Sequence, residues 1–285
     1  MKNAKGTLIP IGGNEDKGDP EYDGNDFVEE GILAHVVRES GGTEVSIVII
    51  PTASSIPEEV GENYLNAFGK LGCTNLQVLD IRTREDAEAV ETLEAISAAR
   101  CVMFSGGDQS KITEFIGGTT LHSLLVEKIM NEENFVIAGT SAGAMMMSEE
   151  MIAGGSATEA LLKGNVSMVK GMGFVPSFII DSHFVKRGRF GRLAEAVAIF
   201  PNLMAVGLSE DTGLIIKNGS EFRVIGSGMV ILFDASALTH NNQKLLKDGS
   251  AMSLFNLTTH ILANGDRFNF EDRRIEVLPI YEKYI

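Results

Sequence analysis

The first half of the chain alternates between short apolar runs and longer segments in which apolar residues recur every three or four positions. The short runs cover residues 7–11, 45–50, 76–79, 101–104 and 135–138. The longer segments carry apolar stripes with helical spacing within residues 27–37, 64–71 and 121–130. Strands that alternate with helices predict a parallel sheet covered on both faces, that is, a three-layer αβα sandwich of the α/β class.

Beyond about residue 205 the pattern changes to short strands separated by tight turns. Strands are predicted at 213–217, 223–225 and 229–233, with turns at 218–219 and 226–228. These glycine-containing turns are typical of hairpins, so we expect an antiparallel extension of the same sheet and a small C-terminal appendage. The sequence has no Pro/Ser-rich linker and no repeat. We therefore predict one domain over residues 1–285, with a parallel core to about 205 and the antiparallel part over 206–285.

Polar, glycine-rich segments follow four of the predicted strands. They cover residues 12–17, 51–55, 105–109 and 139–144. In an open parallel sheet, ligands bind beyond the carboxyl ends of the strands. We therefore expect these four loops to meet at one edge of the sheet and to form a site.

The last of these loops has the most specific pattern. Residues 139–143 read Gly-Thr-Ser-Ala-Gly and lie between a predicted strand and a predicted helix, the context of a nucleophile elbow. The glycines relieve crowding so that the Ser141 hydroxyl can project, and the N–H of Ala142 at the helix start can stabilise an oxyanion. The structural alternative is a glycine-rich turn with an ordinary N-cap serine.

A serine nucleophile needs a base, and His183 is the best placed of the five histidines because it follows an apolar run at another predicted strand end. Glu210, Asp181 and Asp211 are the acids that could orient its ring. Glu210 follows a strand, whereas Asp181 is only two residues from the histidine. The order Ser141, His183, Glu210 differs from the order in α/β-hydrolases, and the chain lacks their HGGG-type loop, which disfavours a lipase or esterase.

Three arginines, Arg187, Arg189 and Arg192, follow the predicted base in a chain with 24 basic and 39 acidic residues and a formal net charge of −15. So acidic a chain is a poor general partner for nucleic acid or for an anionic membrane surface. Arginine binds carboxylates in a bidentate manner, so we expect a substrate with carboxylates near the scissile bond. The alternative is a solvated basic patch that pairs with the surplus acids.

The expected location is the cytoplasm. The apolar run at residues 7–11 is too short for a signal-peptide core, and no apolar stretch approaches the ~20 residues that a membrane helix needs. Cys73 and Cys101 lie beside apolar runs and are predicted to be buried, reduced thiols.

Taken in order, these motifs resemble those of the cyanophycinases, in the serine peptidase clan of peptidase E. The resemblance spans roughly residues 7–268 and rests on residues 12–17, 105–109, 139–144, 181–183, 187–193, 207–211, 259–262 and 265–268. It implies a flavodoxin-like fold similar to class I glutamine amidotransferases, and a homodimer. It also implies the hydrolysis of cyanophycin, a poly-aspartate with arginine on each β-carboxyl, to β-aspartyl-arginine dipeptides from a chain end through an acyl-enzyme.

The resemblance also implies roles for individual residues, and it implies no metal and no cofactor. Ser141 corresponds to the nucleophile, His183 to the base and Glu210 to its partner, with Gly107 and Ala142 at the oxyanion hole. The positions that match substrate-binding residues are Gln109, Asp181, Ser182, Arg187, Arg189 and Arg192.

One position departs from the family pattern, because Ser182 stands where the family commonly has glutamine. The shorter side chain does not reach as far, so an altered β-aspartyl or isopeptide preference is an alternative. A peptidase E-like aspartyl dipeptidase and a non-catalytic binding protein of the same fold are the other two.

Overall fold

The structure is a computed structural model that describes residues 4–17, 31–156 and 161–277. Phe27, which belongs to the first predicted helical stripe, lies outside the described residues. The strands are β1 (Thr7–Ile11), β2 (Ile47–Ile50), β3 (Leu76–Val78), β4 (Cys101–Phe104), β5 (Val136–Thr140), β6 (Glu150–Gly155), β7 (Val166–Lys170), β8 (Phe178–Asp181), β9 (Met204–Leu208), β10 (Thr212–Lys217), β11 (Glu221–Gly226), β12 (Val230–Asp234), β13 (His240–Asn241), β14 (Leu254–Phe255), β15 (Thr258–Leu262), β16 (Arg267–Asn269) and β17 (Ile275–Glu276). The helices are α1 (Ile32–Ser40), α2 (Pro57–Lys70), α3 (Arg84–Glu88), α4 (Val90–Ala98), α5 (Gln109–Phe115), α6 (Thr120–Asn131), α7 (Ala142–Met145) and α8 (Phe190–Ile199), with a 3₁₀ turn at Gln243–Leu245.

The central sheet has the strand order β17-β16-β11-β10-β1-β5-β4-β2-β3. Strands β1 to β5 pair in parallel, in registers such as Ile9 opposite Ala138. Strands β10, β11, β16 and β17 continue the sheet in antiparallel pairs. The predicted α/β class with a mainly parallel central sheet is confirmed.

Alternate residues of each parallel strand enter two different apolar cores, one on each face of the sheet. On β2, for example, Ile47 and Ile49 pack into the core beneath α1 and α2, while Val48 and Ile50 pack into the core shared with α4 to α7. All four are fully buried, which explains why this strand is apolar along its whole length. The free thiols of Cys73 and Cys101 are buried as well.

A second sheet, in the order β15-β12-β9-β8, corrects one expectation from the sequence. The strand predicted at 229–233 does not extend the central sheet. Strand β11 already has β10 on one side and β16 on the other, with Phe222 opposite Phe268, so no free edge remains for β12. Strand β12 instead pairs antiparallel with β9 and is buried at all five of its residues.

The loop after β1 joins the two sheets at their carboxyl ends. The N–H of Ser141 donates to the carbonyl of Ile11 (2.9 Å), which ties β5 to β1. The N–H of His183, beyond β8, donates to the carbonyl of Gly12 (2.8 Å), and the N–H of Asp211, beyond β9, donates to that of Gly13 (2.9 Å). The topology thereby brings the ends of β1, β5, β8 and β9 together.

Among the described residues, no helix is both long enough and apolar enough to cross a membrane.

Candidate active site

Ser141 occupies the single residue between β5 and α7, with φ 51° and ψ −106°. A non-glycine residue in such a sparsely populated region costs on the order of 1–3 kcal/mol, and the surrounding structure must enforce it. The two flanking glycines permit the turn. A Cβ at Gly139 would lie 2.3 Å from the carbonyl oxygen of Gly143, and one at Gly143 would lie 2.5 Å from that of Phe104. The sequence therefore folds here as the predicted elbow.

A chain of hydrogen bonds links Ser141 to a histidine and a carboxylate. The Oγ of Ser141 lies 3.1 Å from Nε2 of His183, and Nδ1 of His183 lies 2.8 Å from Oε1 of Glu210. The ammonium of Lys186 donates to the other carboxylate oxygen of Glu210 at 2.9 Å. With Nδ1–H donating to Glu210, Nε2 is free to accept the serine proton, the arrangement that a base-activated nucleophile needs.

The other two candidate acids have different partners. Both carboxylate oxygens of Asp181 are bound by Arg192. Asp211 accepts a hydrogen bond from the Ser227 hydroxyl at 2.6 Å. Of the three acids considered from the sequence, Glu210 is the one that contacts the ring of His183.

The electrostatic surroundings favour a neutral imidazole beside an ionised carboxylate. Partial burial lowers the pKa of His183, and the positive charges of Arg187 and Arg189 act in the same direction, so it lies below its ordinary value although Glu210 raises it. Burial alone would raise the pKa of Glu210, but hydrogen bonds from Lys186 and His183 bring it below its usual range. A neutral histidine can act as a general base at neutral pH.

The glycine pair after β1 supports the histidine, a role that sequence reasoning did not assign to it. Gly13 has φ +107°, and a Cβ there would lie 2.4 Å from Cε1 of His183. Gly12 accepts the backbone hydrogen bond of His183, which itself has a positive φ of 46°. The signal in the sequence was the Gly-Gly pair directly after a buried strand.

Two backbone N–H groups lie close to Ser141. Ala142 is the first residue of α7, so its N–H has no partner within the helix. Gly107 has φ +140° and could not carry a side chain, because a Cβ would lie 2.1 Å from the carbonyl oxygen of Ala53. A Cβ on the neighbouring Gly106 would be 3.4 Å from that of Ser141, which places this loop against the nucleophile. Free N–H groups so placed can bind a developing oxyanion.

A cavity of about 430 Å³ opens in front of the serine. Its walls come from the loops after β1, β4, β5 and β8 and from α2: Gly13, Asn14, Glu15, Lys17, Val60, Asn63, Tyr64, Gly106, Gly107, Thr140, Ser141, His183 and Arg187. Of the six residues predicted to bind substrate, Arg187 alone belongs to this lining.

The other predicted binding residues are held inside the protein. Arg192 donates to Asp181 from both Nε and Nη2, and Arg189 donates to Asp181 (3.1 Å) and to the carbonyl of Ser182 (2.7 Å). The side chain of Asp181 is 0% exposed, and a carboxylate so buried must be paired. This arrangement differs from the expected one, because the guanidinium of Arg192 is bound to a protein carboxylate and does not face the cavity.

Ser182 and Gln109 also have partners within the protein. The hydroxyl of Ser182 is buried, donates to Sδ of Met145 (3.3 Å) and lies 3.4 Å from Oγ of Ser141. The side-chain amide of Gln109 donates to the carbonyls of Ile152 (2.8 Å) and Ala153 (3.2 Å) on β6.

Sequence reasoning also missed a buried carboxylate in the cavity wall, Glu15, and the three side chains that contact it, which are Lys17, Tyr64 and Thr140. An acidic and a basic residue two positions apart in a glycine-rich loop were the available signal.

Comparison with known proteins agrees with this geometry. The model of peptidase family S51 matches residues 24–225. The chain belongs to peptidase family S51. A cyanophycinase of Trichormus variabilis is 34% identical over 271 residues, covering 95% of this chain and 88% of the relative. A cyanophycinase of Geminocystis herdmanii is 34% identical over 265 residues, covering 93% and 94%.

Solved structures share the fold of this S51 peptidase. A peptidase from an acI-B1 Actinobacterium has a TM-score of 0.65 at 20% identity and covers 95% of this chain and 99% of its own. A protein assigned to peptidase E from Listeria monocytogenes has a TM-score of 0.53 at 16% identity, covering 78% and 98%.

Gly13→Ala should abolish most of the turnover of this S51 peptidase, because its Cβ would push the His183 ring away from Ser141. Misplacement of a reacting group by about 1 Å costs on the order of 10²-fold in rate. The matched control is Gly42→Ala, which has nearly the same φ (+108°) but nothing within 4 Å of the added Cβ. Equal kcat values for the two purified variants would contradict the positioning role of Gly13.

The pKa of His183, followed by NMR in the free enzyme, should lie below the ordinary value of about 6.5. The base must be neutral, so kcat/KM should lose activity only as the pH falls through that depressed pKa. Arg187→Gln removes a nearby positive charge and should raise the pKa of His183, whereas Arg100→Gln, on the surface at the start of β4, should leave it unchanged. A pKa at or above 6.5 in the wild type would contradict this account.

Proposed function

We propose that the chain is a serine-type exopeptidase that hydrolyses cyanophycin to β-aspartyl-arginine dipeptides through an acyl-enzyme on Ser141. The observation that carries the proposal is the hydrogen-bond chain from Glu210 through His183 to Ser141 at the wall of an open cavity. The substrate comes from relatives named cyanophycinases that are 32–34% identical over most of the chain. From the same resemblance we propose that the chain is a single domain, acts as a homodimer in the cytoplasm, and has no nucleic-acid or membrane partner.

Acylation begins when Ser141 Oγ attacks the scissile carbonyl while His183 Nε2 takes its proton. Glu210, bound to Nδ1–H, holds the ring in the correct tautomer and stabilises the imidazolium that forms. The negative charge on the carbonyl oxygen is stabilised by the N–H groups of Ala142 and Gly107. His183 then passes the proton to the leaving amine, and the amide bond breaks.

Deacylation reverses the roles of the same groups. Water enters the position of the amine, and His183 removes its proton as the water attacks the serine ester. The second tetrahedral intermediate collapses, the ester bond breaks, and the proton returns to Ser141 Oγ. The dipeptide leaves as a carboxylate.

Arg187 is the arginine that we propose binds a substrate carboxylate. It is exposed and lines the cavity, and no carboxylate among the described residues forms an ion pair with it. We propose a positioning role for Asp181, Arg189 and Arg192, whose buried ion pairs fix the end of β8 immediately before His183.

A second candidate is a peptidase E-like aspartyl dipeptidase, and Ser182 favours it. Its buried hydroxyl contacts Met145 and Ser141, whereas the glutamine common at this position in cyanophycinases has a longer side chain. A pocket altered at this point suits a smaller or differently linked aspartyl substrate.

Ser141→Ala should abolish hydrolysis without loss of the fold. Removal of a triad serine costs on the order of 10⁶-fold in turnover in a well-studied protease. Wild type, Ser141→Ala and the surface control Ser236→Ala should each be incubated with insoluble cyanophycin and with N-terminal aspartyl dipeptides, with products identified by mass spectrometry. Release of β-aspartyl-arginine by wild type and Ser236→Ala alone supports the proposal. Cleavage of the dipeptides alone favours the second candidate, and turnover by Ser141→Ala above about a tenth of wild type excludes this nucleophile.

Arg187→Met and Arg192→Met should separate substrate binding from stability. Arg192→Met leaves Asp181 without its bidentate partner, and breaking a buried ion pair costs about 3–5 kcal/mol of unfolding free energy. Arg187→Met should keep the wild-type melting temperature and raise KM about tenfold or more, the effect of a lost hydrogen bond between charged groups. Denaturant unfolding and steady-state kinetics measure the two effects. A stable, active Arg192→Met variant would contradict the positioning role.

A further inference from the structure

The wall of the active-site cavity contains an ion pair that the proposed reaction does not use. Glu15 has a side chain that is 0% exposed, and the ammonium of Lys17 lies 2.9 Å from its Oε1. The hydroxyl of Tyr64 donates to the same oxygen, and the hydroxyl of Thr140 donates to Oε2. Both oxygens of the buried carboxylate therefore have donors.

These donors keep Glu15 charged. Burial alone would raise the pKa of Glu15, but the charge of Lys17 and the hydrogen bonds from Thr140 and Tyr64 bring it below its usual range. An ionised carboxylate in this position is costly to bury, so its retention beneath the cavity calls for a reason beyond packing.

The consequence is a cation fixed at the cavity wall. The ammonium of Lys17 has three donors, and among the described residues Glu15 is its one ion-pair partner. The ammonium also lies 5.0 Å from the centroid of the Tyr64 ring, so a second contact restricts its position. The side chain is 32% exposed and lines the same cavity as Ser141 and Arg187. A free lysine would lose much of its rotamer freedom on binding a ligand, and this one is already held.

We propose that Lys17 is a second carboxylate-binding residue of the active site, and that Glu15 is the positioning residue that holds it there. Two cations then line one cavity, Arg187 and Lys17, and each takes a different carboxylate of the aspartyl substrate. The inference rests on the proposed function, since it assigns the ligand of the same site.

The test combines variants with substrate analogues in the Ser141→Ala background, where no turnover occurs. The ligand is a peptide of two β-aspartyl-arginine units, compared with analogues in which one free carboxylate at a time is converted to an amide. Calorimetry gives the dissociation constant of each. Lys17→Met should weaken binding of the free acid about tenfold or more, and this factor should vanish for one of the amides. Lys17→Arg should recover part of the affinity, because it keeps the charge.

Three further variants control for the fold. Lys217→Met removes a lysine that pairs with Glu39 away from the cavity, and it should leave every dissociation constant unchanged. Glu15→Gln keeps Lys17 but removes its anchor, so it should also weaken binding of the free acid. If Lys17→Met leaves Glu15 uncompensated and unfolds, the double variant Glu15→Gln/Lys17→Met removes both charges and takes its place.

A purely structural ion pair gives a different result. Lys17→Met would then lower the melting temperature and weaken the free acid and every amide by the same factor, or by none, and the proposal would be overturned. Hydrolysis of cyanophycin by the wild type decides the proposed function separately. Turnover without a Lys17-dependent carboxylate sends this inference alone to failure, and Lys17-dependent binding without turnover sends the proposed function alone to failure.

Discussion

The backbone of Ser141 is the constraint on which the site depends. At φ 51° and ψ −106° it is a serine in a conformation that costs on the order of 1–3 kcal/mol, and the turn persists because its neighbours leave no alternative. Gly139 and Gly143 touch main-chain oxygens where a Cβ would stand, and the N–H of Ser141 is bound by the carbonyl of Ile11 on the adjacent strand. The parallel order β1, β5, β4 therefore fixes where the hydroxyl points.

The second dependence is on the loop after β1, which carries the base from one sheet to the nucleophile of the other. His183 follows β8 in the four-stranded sheet, and the Gly12 carbonyl and the bare Gly13 let its ring approach Ser141. The same loop buries Glu15 beneath the cavity. In a chain with a net charge of −15, the acids nearest the site are paired with cations, so the cavity wall presents positive charge. That sign suits a substrate with carboxylates.

The sequence predicted the parts of this arrangement that are local. Apolar runs on β2 and β4 announced a sheet buried on both faces, Asn218-Gly219 announced the β10–β11 hairpin through two positive φ angles, and the elbow motif announced its own turn. It could not predict that β12 leaves the central sheet, because sequence adjacency does not show that β16 already occupies the edge of β11. Nor could it show that Arg192 faces a buried Asp181, because a basic segment reads alike whether it is solvated, binds substrate or pairs internally.

The most direct test of the account is to trap the acyl-enzyme on Ser141. An aspartyl ester with a good leaving group acylates faster than the acyl-enzyme is hydrolysed, so the intermediate accumulates. The account predicts a burst of one leaving group per active site, and an aspartyl adduct that intact-mass analysis detects and peptide mapping locates on Ser141. Linear release without a burst, or an adduct on any other residue, would contradict it.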